Sequence, residues 1–288
     1  MSNRLKWFTA GTLFAVLWAS ASTATKIGLA SSQPLTIAVT RFGLAAAILL
    51  PFTHLVRRNR LPSKTEWKQL TIYGLLNISI YLGLYVVSMQ YVTAGIGSLA
   101  VATNPVFISF SSVFFLGKKI TPAIVIGIVL CTAGVVCAAW PLFRDATVTA
   151  PGLLILLISM LSYSAGAVYF AAKKWNGLHL LTINGWQTLL GGLMLLPVAL
   201  IFYKDDLNHF DSTFWLSVSW LAIPVSIFAV LLWLWLLQKN AIGAGLWLFL
   251  CPLFGFIIAA WLVNDPITWY TVFGVVLVIS GLFIAQKK

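Results

Sequence analysis

Charged residues are scarce in this chain of 288 amino acids, in which Asp, Glu, Lys and Arg together make up 8% of the sequence. A soluble domain carries roughly 25% charged residues, so this chain has too little polar surface to cover a water-soluble globule. Hydrophobic residues make up 60% of it, and the mean hydropathy is +0.97. The composition therefore predicts a protein that consists almost entirely of membrane-embedded segments.

Metal ligands and acidic groups are also few, with three Cys, three His and six Asp or Glu residues. Cys131, Cys137 and Cys251 have spacings typical of neither a disulfide framework nor a zinc site, and we expect no metal and no cofactor. The acids and histidines all lie near the ends of apolar segments or between them. Because proton-coupled carriers typically need a carboxylate or histidine within the membrane, a facilitator or an exchanger is favoured at least as much as a proton antiporter.

Ten apolar segments follow one another along the chain, each about as long as the ~20 residues that cross a bilayer. Their expected bounds are Leu5–Ala30, Pro34–Val56, Trp67–Val92, Ala94–Leu116, Thr121–Leu142, Ala150–Ala172, Leu178–Tyr203, Ser212–Gln238, Ala241–Val263 and Ile267–Gln286. The connections between them are short, and the first segment is not typical of a cleavable signal peptide. We therefore expect an all-α integral membrane protein with ten transmembrane helices.

The basic residues indicate how these segments are oriented. With the amino terminus in the cytoplasm, 14 of the 18 Lys and Arg residues fall on the cytoplasmic side, and only Arg144 and Lys204 fall on the other. This pattern satisfies the positive-inside rule and predicts a multi-pass protein of a bacterial cytoplasmic (inner) membrane, with both termini in the cytoplasm. The net charge of +12 then reflects topology in a lipid bilayer, and no nucleic-acid partner is expected.

The second half of the chain repeats the first. A shift of 147 residues brings Pro105 onto Pro252, and a shift of 146 places Arg41 opposite Gln187. The same shift of 147 superposes two pairs of glycines, which are Gly127 with Gly274 and Gly134 with Gly281. Because each copy holds five helices, the copies over residues 1–145 and 146–288 must be inverted relative to each other. Inverted repeats are typical of transporters that alternate a central site between the two membrane faces. The glycines favour close helix packing within one chain, and both a monomer and a dimer remain open.

Several short motifs resemble those of one transporter family. Trp18 followed by small residues and Lys26, and then Thr40-Arg41-Phe42, is similar to the opening of an EamA repeat. The stretch from Ala94 to Pro105 and the segment at 116–121 resemble the close of that repeat. The likeness covers the whole chain and points to the ten-helix EamA branch of the drug/metabolite transporter superfamily. This resemblance implies efflux of small metabolites or amino acids.

Polar and aromatic side chains within the apolar segments indicate where a small-molecule substrate could bind. The third segment presents such groups on one helix face, and because lipid offers them no partners they should face the interior. They either line a cavity or form interhelical hydrogen bonds that only hold the bundle together. A charge within a span, such as Arg41, suggests function by default. The candidate substrate-binding residues are Trp18, Arg41, Asn77, Tyr81, Tyr85, Asn104, Tyr163, Tyr169 and Trp247. Pro105 and Pro252 are candidate gates or helix bends, because proline removes a backbone donor.

The sequence thus favours a transporter, not an enzyme, which exports small metabolites such as amino acids or related amphiphilic compounds by alternating access. One alternative is an integral membrane enzyme acting on lipid or prenyl substrates, which would need acids, histidines or a metal clustered at one interface. Another is an exchanger of phosphorylated metabolites, which would need several inward-facing cations. Apart from Lys6 and Lys68, which lie at the cytoplasmic segment ends, the cations within the segments are Lys26 and Arg41.

Overall fold

The structure is a computed structural model that describes residues 3–108, 111, 122–143, 148–239, 244, 247–248 and 250–286. These residues contain helices, turns and connecting segments and no β-strand. The helices are α1 Asn3–Gly28, α2 Pro34–Val56, α3 Lys64–Ser88, α4 Ala94–Ile108, α5 Pro122–Ala139, α6 Ala150–Ala172, α7 Leu180–Ile201, α8 Ser212–Lys239, α9 Leu250–Val263 and α10 Trp269–Gln286. Two short 3₁₀ turns follow α5 and α7, at Trp140–Phe143 and Asp205–Leu207.

Five of these helices, α2, α3, α6, α7 and α8, are long and apolar enough to cross a membrane by length and composition. Helix α1 is long, but it carries a run of buried hydroxyl side chains, at Ser20, Ser22, Thr23 and Thr25, that lowers its apolar character. Helices α4, α5, α9 and α10 are apolar and shorter. The protein is thus a multi-pass membrane protein with a helix at each expected position. The expected segment ends at Leu116, Thr121 and Ala241, and the loop residues Arg144 and Asp145, lie outside the described residues.

Two of the long helices change to π-helical turns near their middles. In α3 the π turns cover Leu75–Ile80, and in α8 they cover Leu221–Ala229. Pro224 lies within the second segment and provides no backbone N–H, so the ordinary helical hydrogen bond to the preceding turn is lost there. π-Helical turns inside α-helices occur frequently at functional sites.

Helix α4 is interrupted where the sequence predicts a bend. Its first part ends at Val101, a turn covers Ala102 and Thr103, and helical backbone resumes at Asn104. Pro105 follows at once, and its missing N–H leaves the Val101 carbonyl without its usual helical donor. In the corresponding place before Pro252, the backbone N–H of Cys251 donates to the Leu248 carbonyl oxygen at 3.2 Å. This hydrogen bond spans three residues instead of the four of an α-helix, so the turn is tighter there too.

The helices of the two halves pack against each other. Helix α1 contacts α8 and α9, whereas its equivalent α6 contacts α3 and α4. Helix α2 contacts α7 and α8, and α7 in turn contacts α3. The core therefore lies between the halves, and most of the largest fully buried side chains belong to α1, α2, α3, α4, α6 and α8.

Helices α5 and α10 cross closely in opposite directions through their glycines. A Cβ on Gly134 would lie 2.7 Å from the Gly274 carbonyl oxygen, and one on Gly281 would lie 2.9 Å from the Gly127 oxygen. Residue 134 thus meets 274, while the earlier residue 127 meets the later residue 281, so the helices are antiparallel. These close contacts lie within one chain. They require glycine, because only a residue without a side chain lets backbones approach so closely.

Polar contacts connect the halves at the end of the bundle that the charge pattern predicts to be extracellular. Asn208 accepts hydrogen bonds through its Oδ1 from the Ser32 hydroxyl at 2.6 Å and from the Gln33 backbone N–H at 3.0 Å. Asp211, the N-cap of α8, accepts a bond from the Phe214 N–H at 2.8 Å and another from the Ser31 hydroxyl at 3.0 Å. These bonds fix the α1–α2 turn on the loop that precedes α8.

Candidate functional site

A small closed cavity lies in the core where helices of both halves meet. Its volume is about 10 Å³, which is room for about one water molecule. The lining residues come from α1, α2, α3, α4 and α8, and they are Trp18, Ala21, Arg41, Tyr81, Leu82, Tyr85, Val101 and Val225. Four of them are among the residues that the sequence predicts for the site, so the structure brings Trp18, Arg41, Tyr81 and Tyr85 together.

Arg41 is the charged group of this cavity, and its residue surface is only 2% exposed. Its Nε–H donates a hydrogen bond of 2.7 Å to the hydroxyl of Ser226, which lies in the π-helical part of α8. Its Nη1 is buried and has no hydrogen-bond partner among the described residues. The guanidinium carbon also lies 5.4 Å from the centroid of the Phe42 ring. Arg41 therefore holds one partner and retains donors that remain unused.

Aromatic rings form a large part of the remaining wall. The Tyr81 ring centroid lies 4.8 Å from that of Tyr163 and 6.0 Å from that of Tyr85. Trp18 lies 5.9 Å from Tyr163, and Trp233 lies 6.2 Å from it. Tyr163 thus packs directly behind the cavity rather than lining it, and its buried hydroxyl has no partner among the described residues. This cluster offers an apolar, π-rich surface next to a single cation.

A chain of buried polar groups continues from Arg41 across α8, α7 and α3. The Asn184 amide donates to the backbone oxygen of Ser226 at 2.9 Å, and the Gln187 amide donates to Asn184 Oδ1 at 3.2 Å. The Asn77 amide in turn donates to Gln187 Oε1 at 3.0 Å. Asn77 is therefore buried in an interhelical hydrogen-bond network beside the cavity and not on its wall.

The Arg41–Ser226 and Gln187–Asn77 contacts correspond to each other in the two halves. Gln187 follows Arg41 by 146 residues, and Ser226 follows Asn77 by 149 residues. Asn77 and Ser226 both lie in the π-helical turns of their helices, α3 and α8. Each second helix thus presents a polar side chain to the π-helical turn in the third helix of the other half.

The remaining predicted site residues lie outside the cavity wall. Asn104 is buried at the resumption of α4 and accepts hydrogen bonds from the Ser164 hydroxyl through its backbone oxygen at 3.2 Å and its Oδ1 at 3.4 Å. The ammonium of Lys173 lies 5.2 Å from the centroid of the Tyr169 ring, one and a half turns beyond Tyr163. The half-buried Trp247 packs edge-on to Phe8, near the beginning of α1. Pro105 and Pro252 are both buried at the helix irregularities described above.

Lys26, which also lies within a predicted span, contacts backbone rather than the cavity. Its ammonium donates to the carbonyl oxygens of Met89 at 2.9 Å and Val92 at 2.8 Å, just past the end of α3. Nearby, Asp265 accepts a 2.8 Å hydrogen bond from the backbone N–H of Gly95 in the first turn of α4. These bonds connect the predicted outer end of α1 to the segment after α3, and the segment after α9 to the start of α4. Within the described residues no three His, Cys, Asp or Glu side chains come together as a metal site.

A larger groove of about 690 Å³ lies nearer the surface, between α2, α3 and α7. Its walls are mostly apolar, with Ile80, Leu84 and Val198 among them, and polar groups occur chiefly at the end close to Lys204. It lacks the buried charge and the ring cluster of the central cavity. We place the candidate site at the smaller cavity, because the few convergent polar groups that fix the orientation of a ligand lie there.

Three residues of this polar network were not among the predicted site residues. Ser22 shares a 2.7 Å hydrogen bond with the Tyr85 hydroxyl, Ser226 accepts from Arg41, and Asn184 connects Ser226 to Gln187. A signal for Asn184 was available, because Asn184, Gln187 and Thr188 recur at helical spacing in an otherwise apolar helix. Single serines such as Ser22 carry no such signal.

Comparisons with known proteins agree with this architecture. A family model described as the EamA-like transporter family matches residues 5–140 and again residues 150–286. An uncharacterized transporter of Archaeoglobus fulgidus is 26% identical, over 98% of this chain and 99% of that protein. The uncharacterized inner membrane transporter YedA of Escherichia coli K12 is 28% identical, over 96% and 92% respectively. A solved crystal structure superposes with a TM-score of 0.67 at 18% identity, covering 98% of this chain and 96% of that one, which is a likeness in fold.

Proposed function

Since this chain belongs to the EamA-like transporter family of the drug/metabolite transporter superfamily, we propose that it exports small metabolites, such as amino acids or related amphiphilic compounds, by alternating access. The substrate binds in the central cavity beside Arg41, Tyr81 and Tyr85. The carrier works as a facilitator or in a proton-linked manner. The observation that carries this proposal is a buried cation with unused donors in an aromatic-walled cavity between the halves.

Ten membrane-spanning helices in two inverted repeats, over residues 1–145 and 146–288, form the transport unit in this proposal. The support is reciprocal contact: the shift of 147 residues converts the Gly134–Gly274 contact into the Gly281–Gly127 contact. Cys131 and Val278, which the same shift relates, meet each other at the centre of that crossing, where the Cys131 Sγ lies 3.5 Å from the Val278 oxygen. A two-fold relation between antiparallel helices accounts for all three contacts.

Movement of the cavity wall is supported by where the helices are irregular. Val101 precedes the break in α4, Val225 lies in the π-helical turns of α8, and Tyr81 follows those of α3. Three helices therefore depart from regular geometry at the same cavity. Discontinuous helices at the interface of two repeats are where transporters typically bind substrate, and a cavity of one-water size must widen before a metabolite can enter.

The orientation in this proposal follows the charge pattern, with both termini in the cytoplasm of a bacterial cell and the protein in its cytoplasmic membrane. The relative YedA carries the words inner membrane in its name, and the positive-inside rule supports the same arrangement. The end of the bundle that carries Lys26 and Asp265 then faces outward.

Uptake into proteoliposomes tests the proposed function. The purified protein is supplied with a pool of amino acids and small metabolites, with and without an imposed pH gradient, and the vesicle contents are read by mass spectrometry. We expect uptake of at least one compound, and Tyr81→Ala should reduce it roughly tenfold or more, which corresponds to ~1.4 kcal/mol. Accumulation only with the gradient would indicate proton coupling, whereas simple equilibration would indicate a facilitator.

Two further variants make the test specific. Tyr81→Leu keeps an apolar side chain at the cavity if the alanine variant proves unstable, because truncating a buried aromatic residue can cost ~3–5 kcal/mol. Gly43→Ala serves as the control, because a Cβ there meets no atom within 4 Å, and it should transport like the wild type. If the vesicles take up none of the compounds in the pool, the result would contradict the proposal.

A further inference from the structure

We propose that the substrate carries a carboxylate, which binds the free edge of the Arg41 guanidinium. This inference rests on the proposed function and narrows it to one chemical class. The substrate is a small organic acid with an apolar or aromatic body, and an amino group is not required for its recognition. The basis is a fully buried cation that has no anionic partner among the described residues, considered together with the groups that surround it.

Arg41 has no anionic partner among the described residues. The single ion pair found there joins Arg60, between α2 and α3, to Glu66 in the first turn of α3. Asp265 bonds the Gly95 N–H and Asp211 caps α8, while Asp205 and Asp206 lie in the exposed turn after α7. An arginine in a protein stays protonated, and a buried charge without a partner is strongly destabilising. An anion from outside the chain would complete the site.

The guanidinium geometry selects the kind of anion. Because Nε–H is used by Ser226, the remaining donors lie on the two Nη atoms, and the buried Nη1 has no partner. An arginine edge of this kind binds a carboxylate through two parallel hydrogen bonds. A doubly charged phosphate would call for a second cation, yet Lys26 is occupied by the Met89 and Val92 carbonyls. One arginine with one free edge fits a monocarboxylate.

The rest of the wall defines the body of the substrate. Trp18, Tyr81 and Tyr85 line the cavity with their rings, and the remaining lining residues are aliphatic. These surfaces suit an aromatic or aliphatic group. No carboxylate from the described part of the chain lines the cavity to pair with an ammonium. An α-amino group would find no anionic partner among these lining residues, and the attraction of ring faces for a cation is only ~0.5–2 kcal/mol, so it contributes little to selectivity.

Binding to matched charge classes tests this inference on the wild-type protein. The probes share a phenyl body and differ in charge: 3-phenylpropanoate, its neutral amide, phenylalanine and 2-phenylethylamine, together with the corresponding short aliphatic series. Affinities are measured by tryptophan fluorescence of the purified protein, because Trp18 lines the cavity. We expect the two carboxylate-bearing classes to bind similarly, and the amide and amine to bind about 10- to 100-fold more weakly, as for loss of a hydrogen bond to a charged group.

Variants of Arg41 then locate the effect. Arg41→Gln should weaken carboxylate binding about 10- to 100-fold and leave amide binding within about threefold. Arg41→Lys should give an intermediate loss of carboxylate binding, because lysine keeps the charge but cannot form the two parallel hydrogen bonds of a guanidinium. Arg57→Gln, an exposed arginine at the other end of α2, removes an equal charge and should change nothing. Tightest binding by amides or amines, or unchanged carboxylate binding in Arg41→Gln, would overturn the inference while the transport function stands. Failure of every class to bind or to enter proteoliposomes would overturn the proposed function itself.

Discussion

Replacing Gly134 by alanine tests the crossing of α5 and α10, from which the two-fold relation of the halves is inferred. The new Cβ would lie 2.7 Å from the Gly274 oxygen, 2.8 Å from Val278 Cγ2 and 3.0 Å from the Val278 nitrogen. Two of these three atoms belong to the backbone and cannot rotate away. Because ordinary contacts of a Cβ begin near 3.4 Å, the helices must separate by several tenths of an ångström.

The size of the effect follows from two opposing contributions. A radial gap of ~0.5–1 Å removes a quarter to a half of the dispersion attraction between facing atoms, and overpacking of this kind typically costs ~1–3 kcal/mol. The higher helix propensity of alanine returns up to ~1 kcal/mol. We therefore expect Gly134→Ala to lower the free energy of unfolding by about 1–2 kcal/mol. Gly43→Ala receives the propensity gain without a clash and should be as stable as the wild type or more stable.

Thermal melts of the detergent-purified variants, followed by intrinsic tryptophan fluorescence, measure this difference. A Gly134→Ala protein as stable as Gly43→Ala would refute the close crossing. The Gly134→Ala, Gly274→Ala double variant provides a second check. Once the first methyl has separated the helices, the second methyl has space. The loss of stability in the double variant should therefore be smaller than the sum of the losses in the two single variants.

Two further predictions concern groups outside the cavity. The Phe214 N–H and the Ser31 hydroxyl hold the pKa of Asp211 below its usual range, so its ionic contribution is complete above the unfolded pKa of ~3.9 and is lost as the pH falls through the native pKa. Asp211→Asn should consequently lower the melting temperature at pH 7 and converge with the wild type in acid, which melts across a pH series would check. Arg60 binds Glu66 through two hydrogen bonds of 2.7 Å, and because Arg60 is half exposed, Glu66→Gln should cost only ~1–2 kcal/mol in denaturant titrations. Equal stability of Glu66→Gln and the wild type would mean that solvent replaces this pair without loss.

The polar stripe on the third segment shows how far spacing alone could predict the site. Asn77, Tyr81 and Tyr85 are four residues apart and should share one face of an α-helix. The structure places both tyrosines on the cavity wall but turns Asn77 towards Gln187. The π-helical turns at Leu75–Ile80 account for the difference, because more than 3.6 residues per turn rotates positions before the bulge away from those after it.

Other predicted residues lie off the cavity wall for different physical reasons. Tyr163 and Tyr169 are six residues apart, and at about 100° per residue they lie on different faces of α6, which their spacing alone could have indicated. Trp247 meets Phe8 across more than two hundred residues, and nothing local to either residue encodes that contact. The partner of Arg41 was likewise hidden, since Ser226 is one serine among many and only the tertiary packing of α2 on α8 selects it.

The two halves differ informatively where Arg41 of the first copy is matched by the neutral amide of Gln187 in the second. Gln187 uses its Oε1 and its Nε2 in hydrogen bonds to Asn77 and Asn184, so its side chain is satisfied by the protein. Arg41, in the equivalent place, bonds Ser226 and has a buried Nη1 without a partner in the described chain. In the proposed alternating-access cycle, the two halves exchange conformations between two states of similar energy. A ligand shifts such an equilibrium only through unequal affinity for the two states. Arg41, whose Nη1 has no partner among the described residues, lies next to helices that are irregular at the cavity wall, so in that cycle the surroundings of this binding group change with the state.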